Sequence, residues 1–233
     1  TNDTPTFTDV SDGIEEMVAN DIVAMPGGKV VTAVWDRLGF FHTDLDKGPA
    51  AQLGLTDEFN SCWSLATTPA NPNFVAAAVT HHIVHGKVFS GTSADGGVTR
   101  KRFGSISEEG KNNPEGLRFG ELVISADDVN NLVWHPRSDE KALHYSTDGG
   151  STWKASNIQL VDWHAYSFGS RRRVTADGAL PGTFYLHQWN PGRILVSKDK
   201  GATFTETGAK LASYTYHSQL SGIPGRAGHL WFV

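Results

Sequence analysis

The chain carries one short pattern, Ser-x-Asp-x-Gly-x-Thr, three times at a nearly constant spacing. The copies begin at Ser93, Ser146 and Ser197, and a degenerate copy at residues 42–46 keeps the aspartate but lacks the glycine. The aspartates stand at positions 44, 95, 148 and 199, so the intervals are 51, 53 and 51 residues. A repeat of about fifty residues restricts the chain to folds that place copies of one supersecondary unit side by side.

The residue types of the pattern are those of a tight turn. An aspartate accepts hydrogen bonds from the backbone N–H groups that follow it, and glycine supplies a positive φ. We therefore interpret Asp95, Asp148 and Asp199 as structural residues of Asp-box turns. The aromatic residue that ends two of the copies, Trp153 or Phe204, is predicted to pack beneath its hairpin.

Alternating or apolar runs before each copy predict pairs of strands at residues 30–34 with 40–43, 74–79 with 87–91, 132–134 with 142–145 and 183–186 with 193–196. Further strands are predicted at residues 19–24, 62–66 and 121–125, and residues 229–233 begin a fifth unit that then stops. Four strands in a repeat of about fifty residues are typical of a β-propeller blade. The sequence thus predicts an all-β fold in which residues 1–233 form four to five four-stranded antiparallel blades of an incomplete or larger ring.

Composition agrees with many short strands and limits the classes of partner. The chain has 25 Gly and 10 Pro but 2 Met, and its formal net charge is -5 with scattered basic residues, so we expect no nucleic-acid partner. Cys62 is the single cysteine and excludes an intrachain disulfide. No run approaches the ~20 apolar residues of a membrane span, so we expect no membrane partner.

The loops between the second and third strands lie opposite the Asp boxes and hold the candidate binding residues. They are rich in aromatic, imidazole and polar groups, and aromatic rings stack on the apolar faces of sugars. The candidates are Trp35, Arg37, His81, His82, Trp134, His135, Gln188 and Trp189, with Trp163 as a further aromatic platform. The alternative for each tryptophan is that it fills the space between two blades.

No cofactor or metal is predicted. The run His81-His82-x-x-His85 lacks the helical frame of a zinc site and falls in a predicted turn, which favours exposed loop histidines.

Two stretches, Gly13-Ile14-Glu15-Glu16 and Asp36-Arg37-Leu38-Gly39-Phe40-Phe41-His42-Thr43-Asp44-Leu45, resemble the opening of the C-terminal propeller of glycoside hydrolase family 74, the xyloglucanases. Later stretches, residues 145–155, 183–207 and 223–231, resemble the same half in order. The resemblance implies that the chain is a fragment of a larger two-propeller protein that is extracellular or periplasmic. The Asp boxes are shared with sialidases, whose sites need three arginines that grip one carboxylate. The only arginine cluster here, Arg171 to Arg173, is consecutive, so its side chains diverge along a strand and a sialidase is the weaker interpretation.

In that family, two propellers hold a glucan between them and hydrolyse it with inversion, each contributing one aspartate. The resemblance implies that Asp36 is the general acid for a β-1,4-glucan such as xyloglucan and that a second propeller supplies the base, about 6.5–9.5 Å away. This chain departs from the family pattern in having Trp35 before the aspartate and Arg37-Leu38 after it. The alternative is a non-catalytic carbohydrate-binding or assembly propeller.

Overall fold

The structure is a computed structural model that describes residues 6–8, 10, 17–24, 26–49, 51–55, 60–81, 87–106, 117–136, 142–159, 173–188, 191–211 and 219–233. In these residues, strands β1 to β17 form five antiparallel sheets. One 3-10 turn, Leu53–Leu55, lies between β3 and β4. Each sheet contains strands that are consecutive in the chain, so each sheet is one up-and-down blade of a β-propeller. The described residues contain no helix that is long and apolar enough to cross a membrane.

Three blades have four strands each, and the sheets at either end have fewer. Blade 1 contains β1 (Ala19–Ala24), β2 (Val30–Val34) and β3 (Gly39–His42). Blade 2 contains β4 (Asn60–Thr68), β5 (Asn71–His81), β6 (Gly91–Ser93) and β7 (Lys101–Arg102). Blade 3 contains β8 (Glu121–Ile124), β9 (Leu132–His135), β10 (Ala142–Ser146) and β11 (Lys154–Gln159). Blade 4 contains β12 (Val174–Ala176), β13 (Phe184–Gln188), β14 (Arg193–Ser197) and β15 (Thr205–Lys210), and the fifth sheet contains β16 (Leu220–Gly222) and β17 (Leu230–Phe232).

The predicted all-β propeller fold is confirmed, with three corrections to the strands. The third strand of blade 2 is β6 and not residues 87–91, because the Ser90 hydroxyl accepts the Val79 N–H at 2.9 Å and interrupts the strand ladder there. Strand β12 was not predicted. The fifth sheet has two strands where one was predicted, since β16 pairs with β17.

The core lies between successive blades. Blades 1 and 2 enclose Val31, Ala33 and Cys62, whereas blades 2 and 3 enclose Phe103, Trp134 and Trp153 in a cluster of aromatic rings. Trp153 therefore packs against the neighbouring blade as well as beneath its own hairpin. Two smaller clusters fill the spaces on either side of blade 4.

The first strands of the blades, β1, β4, β8, β12 and β16, are the innermost and contact one another in order. In β1, β4, β8 and β12, a polar side chain accepts a hydrogen bond from a backbone N–H of the next blade, and we call these four bonds the inter-blade ladder. Its acceptor and donor pairs are Asp21 with Leu65 (2.9 Å), Ser64 with Leu122 (3.0 Å), Glu121 with Arg173 (2.8 Å) and Thr175 with Gly222 (2.9 Å).

The three Asp-box turns join the third and fourth strands of blades 2, 3 and 4 and have the same hydrogen bonds. In blade 3, Asp148 accepts from the Ser146 hydroxyl at 2.8 Å, the Thr152 N–H at 2.9 Å and the Thr152 hydroxyl at 2.6 Å. Asp95 and Asp199 repeat this arrangement with their own serine and threonine residues. Burial favours the protonated acid, but the bonds from Thr99 and Ser93 outweigh it and lower the pKa of Asp95 to about 2.

Candidate functional site

Asp36 lies in the short turn between β2 and β3. In an antiparallel blade this turn is at the opposite end from the turn that follows the third strand, so Asp36 and the Asp boxes occupy opposite faces. Trp35, Asp36 and Arg37 are each half-buried, whereas Leu38 is fully buried and anchors the turn in the core between blades 1 and 2.

The backbone of this turn is held in an unusual conformation. Asp36 has a φ of 66°, and the Arg37 N–H bonds the Trp35 carbonyl oxygen at 2.6 Å. Gly39 follows with a φ of 128°, and a Cβ there would lie 2.0 Å from the Thr32 carbonyl oxygen. Left-handed backbone at a non-glycine residue is unfavourable by about 1 kcal/mol or more and tends to occur where function requires it.

A row of aromatic rings begins beside Asp36 and runs across three blades. The rings of Trp35 and Trp63 are 5.6 Å apart at their centroids, and those of Trp63 and Phe119 are 5.1 Å apart, both edge to face. Trp35 belongs to blade 1, Trp63 to the inner strand of blade 2, and Phe119 precedes the inner strand of blade 3. We call these three residues the aromatic row.

Backbone strain is concentrated at the two ends of the aromatic row. Among the residues that the structure describes, three non-glycine residues have a positive φ: Asp36, Phe119 at 53° and Lys200 at 65°. Lys200 belongs to an Asp-box turn, where the other two boxes have Gly96 and Gly149 with a positive φ. The other two non-glycine residues are next to Trp35 and at the far ring of the row, so the row is bounded by strained residues on the face opposite the boxes.

Three of the predicted ligand contacts are core residues instead. Trp134 has no exposed surface, and its indole N–H donates to the Phe119 carbonyl oxygen at 2.6 Å. His135 and Gln188 are 5% and 1% exposed, and the Gln188 side-chain oxygen accepts from Arg193 at 2.6 Å. These side chains present almost no surface to a ligand, and Trp134 belongs to the core between blades 2 and 3.

Of the remaining predicted contacts, the structure describes His81. His81 is half-buried at the end of β5, with its ring 6.4 Å from that of Phe89. The predicted contacts His82 and Trp189, and the further platform Trp163, lie outside the described residues.

The inner strands line a concavity of about 220 Å³ whose polar groups include Asp21, Glu121 and Asp177. Each of these carboxylates accepts a backbone N–H bond, Asp21 and Glu121 through the inter-blade ladder and Asp177 from Gly228 at 2.7 Å. They therefore stabilise contacts between blades. Within the described part of the chain, no group of three or more His, Cys, Asp or Glu side chains could hold a metal ion.

Trp63 and Phe119 are the site candidates that sequence reasoning missed. Trp63 lies inside a predicted strand, where an aromatic residue is expected to be core, and Phe119 precedes a strand without a recognisable motif. The sequence does contain one signal for Trp63. Its large ring stands among small residues, between Ser61 and Ser64, at the start of an inner strand.

Comparison with known proteins shows similarity to xyloglucanases over almost the whole chain. The chain is 30% identical over 224 residues to a xyloglucanase of Paenibacillus sp. and 29% identical over 222 residues to the xyloglucanase Xgh74A of Acetivibrio thermocellus. Each alignment covers 95% of this chain but 20% and 24% of the respective relative, so the chain spans about a fifth to a quarter of their length. No protein-family model matches the chain.

Solved structures of GH74 enzymes and of YCF48 are similar to this chain in fold. The GH74 enzyme of Niastella koreensis superposes with a TM-score of 0.72 at 24% identity, over 94% of this chain and 28% of that one. The structure of YCF48 bound to a D1 peptide superposes with a TM-score of 0.52 at 12% identity, over 93% of this chain and 60% of that one. The chain is therefore a β-propeller that resembles the xyloglucanases of glycoside hydrolase family 74 in sequence and fold.

Proposed function

We propose that this chain supplies the general-acid part of an inverting glycoside hydrolase site that acts on a β-1,4-glucan such as xyloglucan. The observation that carries the proposal is the position of Asp36, a strained carboxylate residue next to the aromatic row. The similarity to two xyloglucanases over 95% of the chain supports the substrate class.

Asp36 in this role donates a proton to the leaving glycosidic oxygen. The aromatic row provides hydrophobic ring surface for sugar units on one side of it, and Arg37 and His81 are polar groups within the same face. An inverting reaction needs a second carboxylate about 6.5–9.5 Å from the first, with room for a water between them. We propose that this base belongs to a second propeller that faces this one across the glucan, with the enzyme acting outside the cytoplasm.

The alternative is a propeller that binds a glucan or an assembly partner without hydrolysis. The favouring observation is the fold similarity to YCF48, which was solved with a bound peptide. Propeller folds serve both catalysis and binding, so the fold does not distinguish the two functions, and the test must be made on the site residues.

The test is Asp36→Asn in the intact gene product that contains this chain. We expect hydrolysis of xyloglucan to fall by about 10²–10⁴-fold, because that is what a positioned acid contributes, and glucan binding to remain. Turnover is measured from reducing ends and binding by calorimetry. The isolated 233-residue chain is expected to show no turnover, since it lacks the proposed base.

A matched control is Asp44→Asn, which alters a carboxylate at the other end of blade 1. Asp44 is paired with Lys47 at 2.9 Å on the Asp-box face, and its loss should leave turnover unchanged. Parental turnover by Asp36→Asn would remove this residue from the mechanism. Glucan binding without any hydrolysis by the unmodified protein would favour the binding propeller.

A further inference from the structure

We propose that two facing hydroxyl groups of blade 2, on Ser61 and Thr80, are positioning groups for the Asp36 site. The Ser61 hydroxyl holds the Asp36 turn, and the Thr80 hydroxyl fixes the ring of Trp63. The inference rests on the proposed function, because it assigns these hydroxyls a part in acid catalysis and in glucan binding respectively.

The two residues form one cross-strand pair. Ser61 is the second residue of β4 and Thr80 is the second-to-last residue of β5, and they lie directly opposite each other in the register of blade 2. Directly opposed residues of an antiparallel pair project to the same side of the sheet. Both side chains are fully buried, at 0% exposure, which is uncommon for hydroxyl residues.

Ser61 connects the catalytic turn of blade 1 to blade 2. Its Oγ accepts a hydrogen bond from the Asp36 N–H at 3.4 Å, so the bond holds the backbone of the strained residue itself. The direction of the Asp36 carboxylate follows from that backbone, and a displacement of about 1 Å in a reacting group can reduce a rate by about 10²-fold. Removal of the Ser61 hydroxyl therefore acts on the chemical step.

Thr80 fixes the middle ring of the aromatic row. Its Oγ1 accepts a hydrogen bond from the Trp63 indole N–H at 2.7 Å, which sets the rotation of the indole. Trp63 is in edge-to-face contact with Trp35 on one side and Phe119 on the other, so a turned indole disturbs both neighbours. Removal of the Thr80 hydroxyl therefore acts on ring stacking and on substrate binding.

Ser64 is a matched control in the same strand. It is 3% exposed, and its Oγ accepts the Leu122 N–H at 3.0 Å as part of the inter-blade ladder. Its bond supports the junction of blades 2 and 3, whereas the bonds of Ser61 and Thr80 lead to Asp36 and to the aromatic row. A purely structural role for all three hydroxyls predicts the same kinetic behaviour for all three variants.

The experiment measures kcat and KM for xyloglucan hydrolysis by the intact gene product. For Ser61→Ala we expect kcat to fall about tenfold or more with KM nearly unchanged. For Thr80→Val we expect KM to rise roughly two- to tenfold with kcat nearly unchanged, and Thr80→Ser, which keeps the hydroxyl, should restore the parental KM. Ser64→Ala should lower the melting temperature and leave both constants unchanged.

Parental kcat in Ser61→Ala, or parental KM in Thr80→Val, would overturn the inference even where Asp36→Asn shows the expected loss of turnover. If Ser61→Ala does not fold, the Thr80→Val and Thr80→Ser pair decides. If the unmodified protein does not hydrolyse xyloglucan, the proposed function is refuted, and the kinetic test of these hydroxyls no longer applies. In that case hydrogen exchange at the Asp36 amide decides for Ser61, since faster exchange in Ser61→Ala supports the anchor and an unchanged rate rejects it.

Discussion

The aspartates on the two faces of the blades have different surroundings. Asp148 has its carboxylate enclosed by the hydroxyls and N–H groups of its own turn, and burial, which favours the neutral acid, is outweighed by these bonds so that the pKa of Asp148 is lowered. Asp36 is held by contacts to its backbone, through Ser61 and the bond between Arg37 and Trp35. The first arrangement stabilises a turn, and the second anchors the backbone of a half-buried aspartate on the opposite face.

Replacing Asp148 with alanine should reduce the free energy of unfolding by about 1–3 kcal/mol, because two hydroxyls and one N–H lose their acceptor. Urea denaturation of the intact protein measures this. The pKa of the folded-state carboxyl is below the ordinary value for an aspartate, about 3.9, so the stabilisation is present above about pH 4 and declines as the pH falls further. Asp46→Ala, on the exposed degenerate copy, is the control, and equal stability of the two variants would contradict the structural role.

His187 should make the protein sensitive to mild acid. Burial, together with the nearby Arg173, lowers the pKa of His187 to about 4, and its Nε2 has no hydrogen-bond partner among the residues that the structure describes. The unfolded chain takes up the proton first, so this group removes stability as the pH falls from about 6.5 to about 4. The loss should be smaller in His187→Leu, as measured by unfolding at several pH values; identical pH profiles would contradict this.

At the scale of elements, the Asp-box turn also forms the contact between blades. The glycine of the repeated pattern lies close to the preceding blade or to the segment between the two blades. A Cβ there would lie 2.4 Å from Leu53 for Gly97, 2.1 Å from Phe103 for Gly150 and 2.5 Å from Val133 for Gly201. These glycines therefore meet two requirements at once, a positive φ and a close approach between blades.

Gly150→Ala should be distinctly more destabilising than Gly149→Ala. Both positions have a positive φ, 83° and 69°, and carry a similar conformational penalty. Only at Gly150 does the new methyl group overlap a ring, since the nearest atom to Gly149 is 3.2 Å away. We expect a difference of about 1–3 kcal/mol in the free energy of unfolding. Equal effects would mean that the Phe103 ring moves aside without penalty.

Strand positions that follow from local pattern were predicted well, and those that depend on tertiary pairing were not. Strands β1 and β2 have the predicted bounds because alternation and flanking turns mark them. Strand β12 has three residues and exists through its pairing with β13, which no local pattern reports. The same limit explains Trp134, because a run of apolar residues in β9 does not reveal which ring is enclosed by the preceding blade. Asp36 was proposed through a resemblance to a known family, and that role stays a prediction, whereas Trp63 and Phe119 became site candidates only from the arrangement of three blades.

At the scale of the whole molecule, the inter-blade ladder connects the inner strands across the four blade junctions. Thr175→Val removes the acceptor of the Gly222 N–H, so we expect the Gly222 amide to exchange hydrogen faster and the free energy of unfolding to fall by about 1–3 kcal/mol. Thr67→Val changes a threonine that lines the same concavity outside the ladder and should have little effect. Exchange at Gly222 equal to that of the parent would show that this junction does not depend on the ladder.

The ladder also has a direction. In all four pairs the acceptor side chain belongs to the earlier blade and the N–H donor to the later one. During synthesis the N-terminal blade leaves the ribosome first, at about 5–20 residues per second, and a blade of about fifty residues follows every few seconds. Each new blade thus meets a neighbour whose acceptor is already in place. We expect the protein to assemble in the order of translation, with every blade serving as the template on which the next one closes.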